Sequence, residues 1–372
     1  MDTPVCALLG IDVPIFAFSH CRDVVAAVTR AGGFGVLGAS THSPEHLAIE
    51  LDWIDAHTGG RPYGVDVLIP TVYDERAEAA PAELEAMIPG EHRAFQDALL
   101  HDAGVPELDV DERARLRGEL AAGRGGMTPN GARRLLAVAL EHPRVRMVVS
   151  ALGAPPPDVV AQLRERDIVI GALCGKARHA EKQIAAGVQV VIAQGTEAGG
   201  HTGDIATLVL VPEVVAVAGE DAIVLAAGGI THGSQIAAAL AMGCQGVWCG
   251  TVWLGTRESE LDDFERGVLY ATGTDGTVRR RARTGKPVRM TRSALSEAWE
   301  GPDSPGYLPT PLQGILYNEA HQRVVRARRA DLYSAPAGQS VGALTGETGV
   351  ADVMYRFQEE YGDAVERLRG WQ

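Results

Sequence analysis

Between residues 193 and 203 the chain reads AQGTEAGGHTG, four glycines around a single histidine, His201. An imidazole exchanges protons near neutral pH, and glycines on both sides let other groups come close to the backbone. Gln194 offers a donor and acceptors to a ligand ring, and Gly199 and Gly200 would clear space for a flat group. Two further turns share this character, AAGGI (226–230) and CGT (249–251). There Gly228, Gly229 and Gly250 would let a phosphate reach main-chain N–H groups, with the Thr251 hydroxyl as an added donor. An acid–base group beside an anion cradle predicts a catalytic site. The competing reading is a structural histidine in a tight loop.

The elements carrying these residues form a repeat. Apolar runs at 13–18, 34–38, 63–68, 145–152, 167–174, 188–194, 222–229 and 246–251 alternate with helical patterns, as in parallel β/α units. Three crossings, RAGGFGVLG, AAGVQVVIA and AMGCQGVWCG, repeat one device: a helix ends in glycine and an apolar strand begins. Eight such units predict an α/β fold of the closed (β/α)8 TIM-barrel type over residues 1–252. The three candidate turns then lie at the C-terminal ends of strands six, seven and eight, where barrels of this type place their chemistry. Residues 70–130, acidic and punctuated by proline, read as an insertion over the barrel mouth. Residues 253–372 read as an appended, smaller, mainly helical capping region. Within it, RRRARTGKPVRMTR (279–292) holds seven basic residues and no acidic one. That run reads either as a salt-bridged surface or as a landing site for an anionic substrate tail.

Bulk properties exclude other classes. A formal charge of −14 over 372 residues argues against a nucleic-acid binder. No apolar run reaches the roughly 20 residues needed to span a bilayer, and MDTPVCALLG lacks the basic-then-apolar order of a signal peptide. Five cysteines without a C-x-x-C pair fit reduced thiols in a cytoplasmic protein. His42 and His46 stand four apart, but Pro44 lies between them and no third ligand is near, so no metal site is expected. The expected partners are small molecules, and no motif specifies an oligomeric state.

AQGTEAGGHTG, followed by LAAGGI and CGT, resembles the nitronate monooxygenase (2-nitropropane dioxygenase) family of FMN-dependent barrels. The likeness runs from VPIFAF to the PTPLQ of 309–313. It implies that Gln194, Gly228, Gly229, Gly250 and Thr251 contact FMN, that the backbone around Ala17 and Phe18 lies beside the ring, and that His201 is the general base acting on a nitroalkane or nitronate, with O2 as oxidant. Two departures stand out: Asp66 in YGVDVL replaces a frequent asparagine and would bring a carboxylate to the flavin, and Leu173 stands where some members carry lysine. FAFSHCRDVVAAVTRAGGFGVLGA, SALGAPPPD and TGKPVRM further resemble an actinobacterial branch associated with steroid-ring breakdown. That likeness implies an alternative, an NAD(P)H-dependent reductase of enoyl-CoA thioesters with His201 as proton donor. An IMP-dehydrogenase-like enzyme would need a nucleophilic cysteine in a loop near the phosphate, and neither Cys174 nor Cys249 is so placed. A non-catalytic flavin-binding sensor would not need His201.

Overall fold

A computed structural model describes residues 1–69, 80–124, 126 and 128–371. Eight parallel strands close into a barrel in the order β1 (Ile15–Ser19), β2 (Phe34–Gly38), β3 (Tyr63–Asp66), β4 (Val145–Ser150), β5 (Val169–Cys174), β6 (Val190–Gln194), then, after a short β7 (Gly200–His201) outside it, β8 (Ile223–Ala227) and β9 (Gly246–Cys249). This is the expected TIM barrel, with every expected apolar run supplying one barrel strand. Glycine ends the helices as the crossings suggested: Gly32, Gly187 and Gly243 take φ of 89°, 101° and 97°, a region costly to residues with a Cβ.

Alternation along the strands separates two cores. Ile15, Ala17, Tyr63, Val65, Ile170, Val191, Val224 and Val247 face outward and pack with the surrounding helices. Phe16, Phe34, Val36, Met147, Val149, Val169, Val190, Ile192, Leu225 and Trp248 face inward and fill the barrel. A helix before the first strand, Pro4–Leu9, adds Val5, Cys6 and Leu9 to the inner core, and Thr3 Oγ1 donates to the Gln245 carbonyl at 2.6 Å. Sequence reading missed this plug because its apolar run is only one turn long.

The rest of the chain builds a third core. Leu84, Ile88, Leu100 and Val105 from the helices and turns between β3 and β4 pack with Leu269, Met290, Leu295, Trp299, Leu316 and Tyr317 from beyond residue 253. The opening of the expected insertion, 70–79, lies outside the described residues. The last helix, Val350–Arg369, returns to the barrel: Val350, Val353, Met354 and Phe357 join the outer core. Between these helices stands a hairpin of β10 (Thr277–Arg280) and β11 (Val288–Thr291), so the mainly helical region also contains sheet.

Candidate active site

Since residues alternate, Phe18, Asp66, Leu173, Gln194 and Ala227 continue the inward rows to the C-terminal mouth. Phe18 stacks on Trp248, ring centroids 6.0 Å apart at 25°, and Trp248 stacks in turn on Phe16 at 6.3 Å. These rings make an apolar wall with polar groups along the rim. Ala17 is fully buried with its side chain in the outer core, so only its backbone could serve a ligand in the mouth. Asp66 is 3% exposed, and burial pushes its carboxyl up to about 7, against the pull of an Ala151 backbone hydrogen bond. Leu173 is half-buried, and its carbonyl accepts from Gln183 Nε2 at 2.8 Å.

The segment after β6 is held rigidly. Thr196 N–H donates to the Ile205 carbonyl at 2.8 Å. The Glu197 carboxylate accepts from Thr207 N–H at 2.9 Å and Thr207 Oγ1 at 2.8 Å, and the same hydroxyl lies 3.1 Å from the Gly228 carbonyl. Loop six and turn seven are thereby fastened to the start of the helix Thr207–Ala218. Gly228 and Gly229 both have positive φ, 107° and 74°, and among the described residues no hydrogen bond is formed by either N–H. Unpaired main-chain donors in successive glycines suit an anion.

Thr251 and Gly199 also have partners that the sequence did not suggest. A loop not anticipated, around Ala337–Gln339, runs between them. Gly338 N–H donates to Thr251 Oγ1 at 2.9 Å, and Gln339 N–H donates to the Glu197 carbonyl at 2.9 Å. A Cβ on Gly199 would lie 2.8 Å from the Ala337 carbonyl carbon and from Gly338 N. Gly199 is therefore small at least to admit this loop. Gly200 has φ 79° and open space where a Cβ would point. Gly250 is also open, with no heavy atom within 4 Å of an added Cβ.

That openness yields a prediction. Gly250→Ala should unfold in urea within about 0.5 kcal/mol of the parent, because the methyl displaces nothing. If the rim cradles the phosphate of FMN, as the family resemblance implies, the same methyl stands in its path, and the affinity for added FMN measured by fluorescence quenching should fall about tenfold or more. Unchanged affinity would move the phosphate away from this turn.

His201 is not in a loose loop. With Gly200 it forms β7, which pairs antiparallel with β11, His201 opposite Val288 and Gly200 opposite Arg289. The basic run and the histidine motif thus lie side by side. Arg289 is buried, and its guanidinium donates from Nε to the Thr196 carbonyl at 2.6 Å and from Nη1 to Thr277 Oγ1 at 3.2 Å. It holds the glycine-rich segment from behind. Arg279 pairs with Asp204 and donates to the Thr202 carbonyl at 3.1 Å, holding the chain just past the histidine.

The ring of His201 reaches solvent, with Nδ1 3.1 Å from the Pro287 carbonyl. A carbonyl only accepts, so this contact puts the proton on Nδ1 and leaves a lone pair on Nε2. Crowding by protein lowers its pKa from the ordinary 6.5; the Pro287 carbonyl pulls the other way, and Lys286 and Arg283 reinforce the lowering. The result at neutral pH is a neutral imidazole with a free basic nitrogen beside two cations. Elsewhere, His42 and His46 face each other, Nδ1 to Nδ1 at 3.1 Å, and His46 Nε2 lies 3.4 Å from Glu50. Among the described residues no group of three or more His, Cys, Asp or Glu could hold a metal. Cys174 and Cys249 are buried, and burial pushes both thiols up to about 12, so neither is a ready nucleophile.

Comparison with known proteins bears on the family and the fold. The profile of the family described as nitronate monooxygenase matches residues 7–359. A Mycobacterium tuberculosis monooxygenase-type protein, Rv1533, is 47% identical over 100% of this chain and 99% of its own. A dehydrogenase of a hydroxy-methyl-oxo-octahydroindene carboxyl-CoA from the same organism is 32% identical over 81% of this chain and 69% of its own. Among solved structures, nitroalkane oxidase from Streptomyces ansochromogenes superposes with a TM-score of 0.77 at 28% identity, covering 98% of this chain and 99% of that one.

Proposed function

The chain belongs to the nitronate monooxygenase family, and on that premise we propose that it is an FMN-dependent oxidoreductase acting on alkyl nitronates and nitroalkanes with O2, His201 serving as the general base. The observation that carries the reading is the Nδ1–Pro287 hydrogen bond, which leaves Nε2 unprotonated. FMN, when bound, supplies the electron-accepting chemistry that links nitronate oxidation to oxygen. The residues present fit it: N–H groups at Gly228–Gly229 unpaired among the described residues and the open Gly250 for the phosphate, Gln194 and the Phe18–Trp248 wall for the ring.

The protein's own part is proton transfer and charge. Nε2 of His201 takes the α-proton of a neutral nitroalkane. The imidazolium so formed keeps its Nδ1–H on the Pro287 carbonyl, which stabilises it. Lys286 and Arg283 oppose a resting charge on His201 but favour the nitronate oxygens that appear as the proton leaves. The Phe18–Trp248 wall keeps water from one side of the mouth.

The 32% relationship to a carboxyl-CoA dehydrogenase supports a second reading, an NAD(P)H-dependent enoyl-thioester reductase with His201 as proton donor. The lowered pKa of His201 favours base over donor at neutral pH. Steady-state assays with a short nitronate and O2, against an enoyl-CoA with NAD(P)H, decide between them. Oxygen consumption with the nitronate is expected. Anaerobic bleaching by NAD(P)H with reoxidation by the enoyl-CoA, and no nitronate turnover, would select the reductase.

A further inference from the structure

A cleft of about 320 Å³ opens beside the β10–β11 ribbon, lined by Arg279, Arg280, Arg281, Pro287, Glu300 and Tyr307. It lies outside the barrel mouth, yet Pro287 belongs to both places, because its carbonyl holds His201.

The seven basic residues of 279–292 divide by use. Arg279 is neutralised by Asp204, and Arg292 stands 3.6 Å from Glu297. Arg289 is buried against Thr196 and Thr277. Arg280 reaches Glu297 and Glu300 only loosely, at 3.6 Å each. Arg283 lies over the Tyr317 ring, 5.6 Å from its centroid. Arg281, Arg283 and Lys286 have no carboxylate within ion-pair reach among the described residues, and Arg281 is exposed on the cleft wall. The Nε atoms of Arg279 and Arg280 are buried without a hydrogen-bond acceptor. Glu300, the one acidic residue lining the cleft among the described residues, already accepts the Tyr307 hydroxyl, and the Tyr307 ring stacks on Trp299 with centroids 6.2 Å apart. In a chain of formal charge −14, the guanidinium donors of Arg280 and Arg281 left without acceptors among the described residues, beside an aromatic wall, are not explained by surface solubility.

We propose that this cleft is the subsite for the phosphate-bearing nucleotide tail of a molecule whose reacting end lies at His201. Its placement at His201 rests on the second, reductase reading above; the anion recognition stands on the arginines alone. Fork-shaped donors match phosphate oxygens in pairs, and the cleft takes one end of a ligand too long for the barrel mouth. Two carriers share this chemistry, the nucleotide of a CoA thioester and that of a nicotinamide dinucleotide, and the test separates them.

Calorimetric titration of the purified holoprotein with CoA, 3′-dephospho-CoA, NADPH and NADH, at about 50 and about 300 mM salt, reads the site directly. One of the two pairs is expected to bind, its extra phosphate adding about tenfold in affinity and the salt increase weakening it. Preference for CoA over dephospho-CoA marks the thioester carrier, and preference for NADPH over NADH marks the dinucleotide. Arg281→Ala, an exposed change whose fold is checked by circular dichroism, should lose about tenfold toward the preferred ligand, with part recovered in Arg281→Lys. The inference is overturned if none of the four binds, or if folded Arg281→Ala binds as the parent does. Flavin absorbance and nitronate turnover of the parent report separately on the proposed function. Nitronate turnover without nucleotide binding removes the cleft alone, whereas a protein lacking flavin removes the functional reading while the titration still decides the cleft.

Discussion

His201→Asn is expected to retain its yellow cofactor and lose about 10² to 10⁴ in kcat/KM for a neutral nitroalkane, the usual worth of a positioned base. Asparagine keeps a donor that can reach the Pro287 carbonyl, so β7 stays paired with β11 and the site keeps its shape. What disappears is the lone pair on Nε2. A nitronate ionised before mixing no longer needs its α-proton removed, so its turnover should fall far less. This contrast separates chemistry from damage, because a collapsed site would lose both substrates together. Full activity of the variant on the neutral nitroalkane would remove His201 from the reaction.

Asp66→Asn is expected to change how stability depends on pH. The carboxyl is neutral in the folded protein up to about 7 and ionises in the unfolded chain at about 3.8. Between those values the unfolded state holds fewer protons, so the parent loses stability as pH rises through the window, on the order of 4 kcal/mol from this one group. Below the window the neutral acid and the amide are close in shape and charge. Above it, the variant should be the more stable of the two. Urea unfolding at about pH 4.5 and about pH 7.5 measures the difference, in which the other titrating groups cancel. Parallel pH curves for parent and variant would show that Asp66 is not held in the dry environment the fold gives it.

Much of this was legible because it is written locally. A barrel strand buried on both faces needs a mainly apolar run, and each of the eight announces itself even where Asp66 or Arg146 interrupts it. The glycines at 32, 187 and 243 mark helix ends by backbone geometry alone. That Gln194, Gly228 and Gly250 stand at neighbouring strand ends follows from counting strands. What stayed hidden depends on long-range pairing. β7 is two residues long, too short for any periodicity, and it exists because β11, almost ninety residues later, lies against it. The basic run looked uniform, yet Arg289 is buried behind the motif, Arg279 is ion-paired and Arg281 has no carboxylate partner among the described residues. Gly338 gave no local sign that it would come between Gly199 and Thr251. Likewise Glu197 drew no notice in TEAGG, although its carboxylate ties the loop to Thr207.

A neutral imidazole, protonated on the nitrogen facing the Pro287 carbonyl and bare on the other, is the chemical centre of the proposed reaction. Its most direct test is the pH dependence of kcat/KM for a neutral nitroalkane. The expected profile falls on the acid side with an apparent pKa below the ordinary 6.5 of histidine, and this limb vanishes in His201→Asn. A profile with no acid limb, or the same limb in parent and variant, would contradict it.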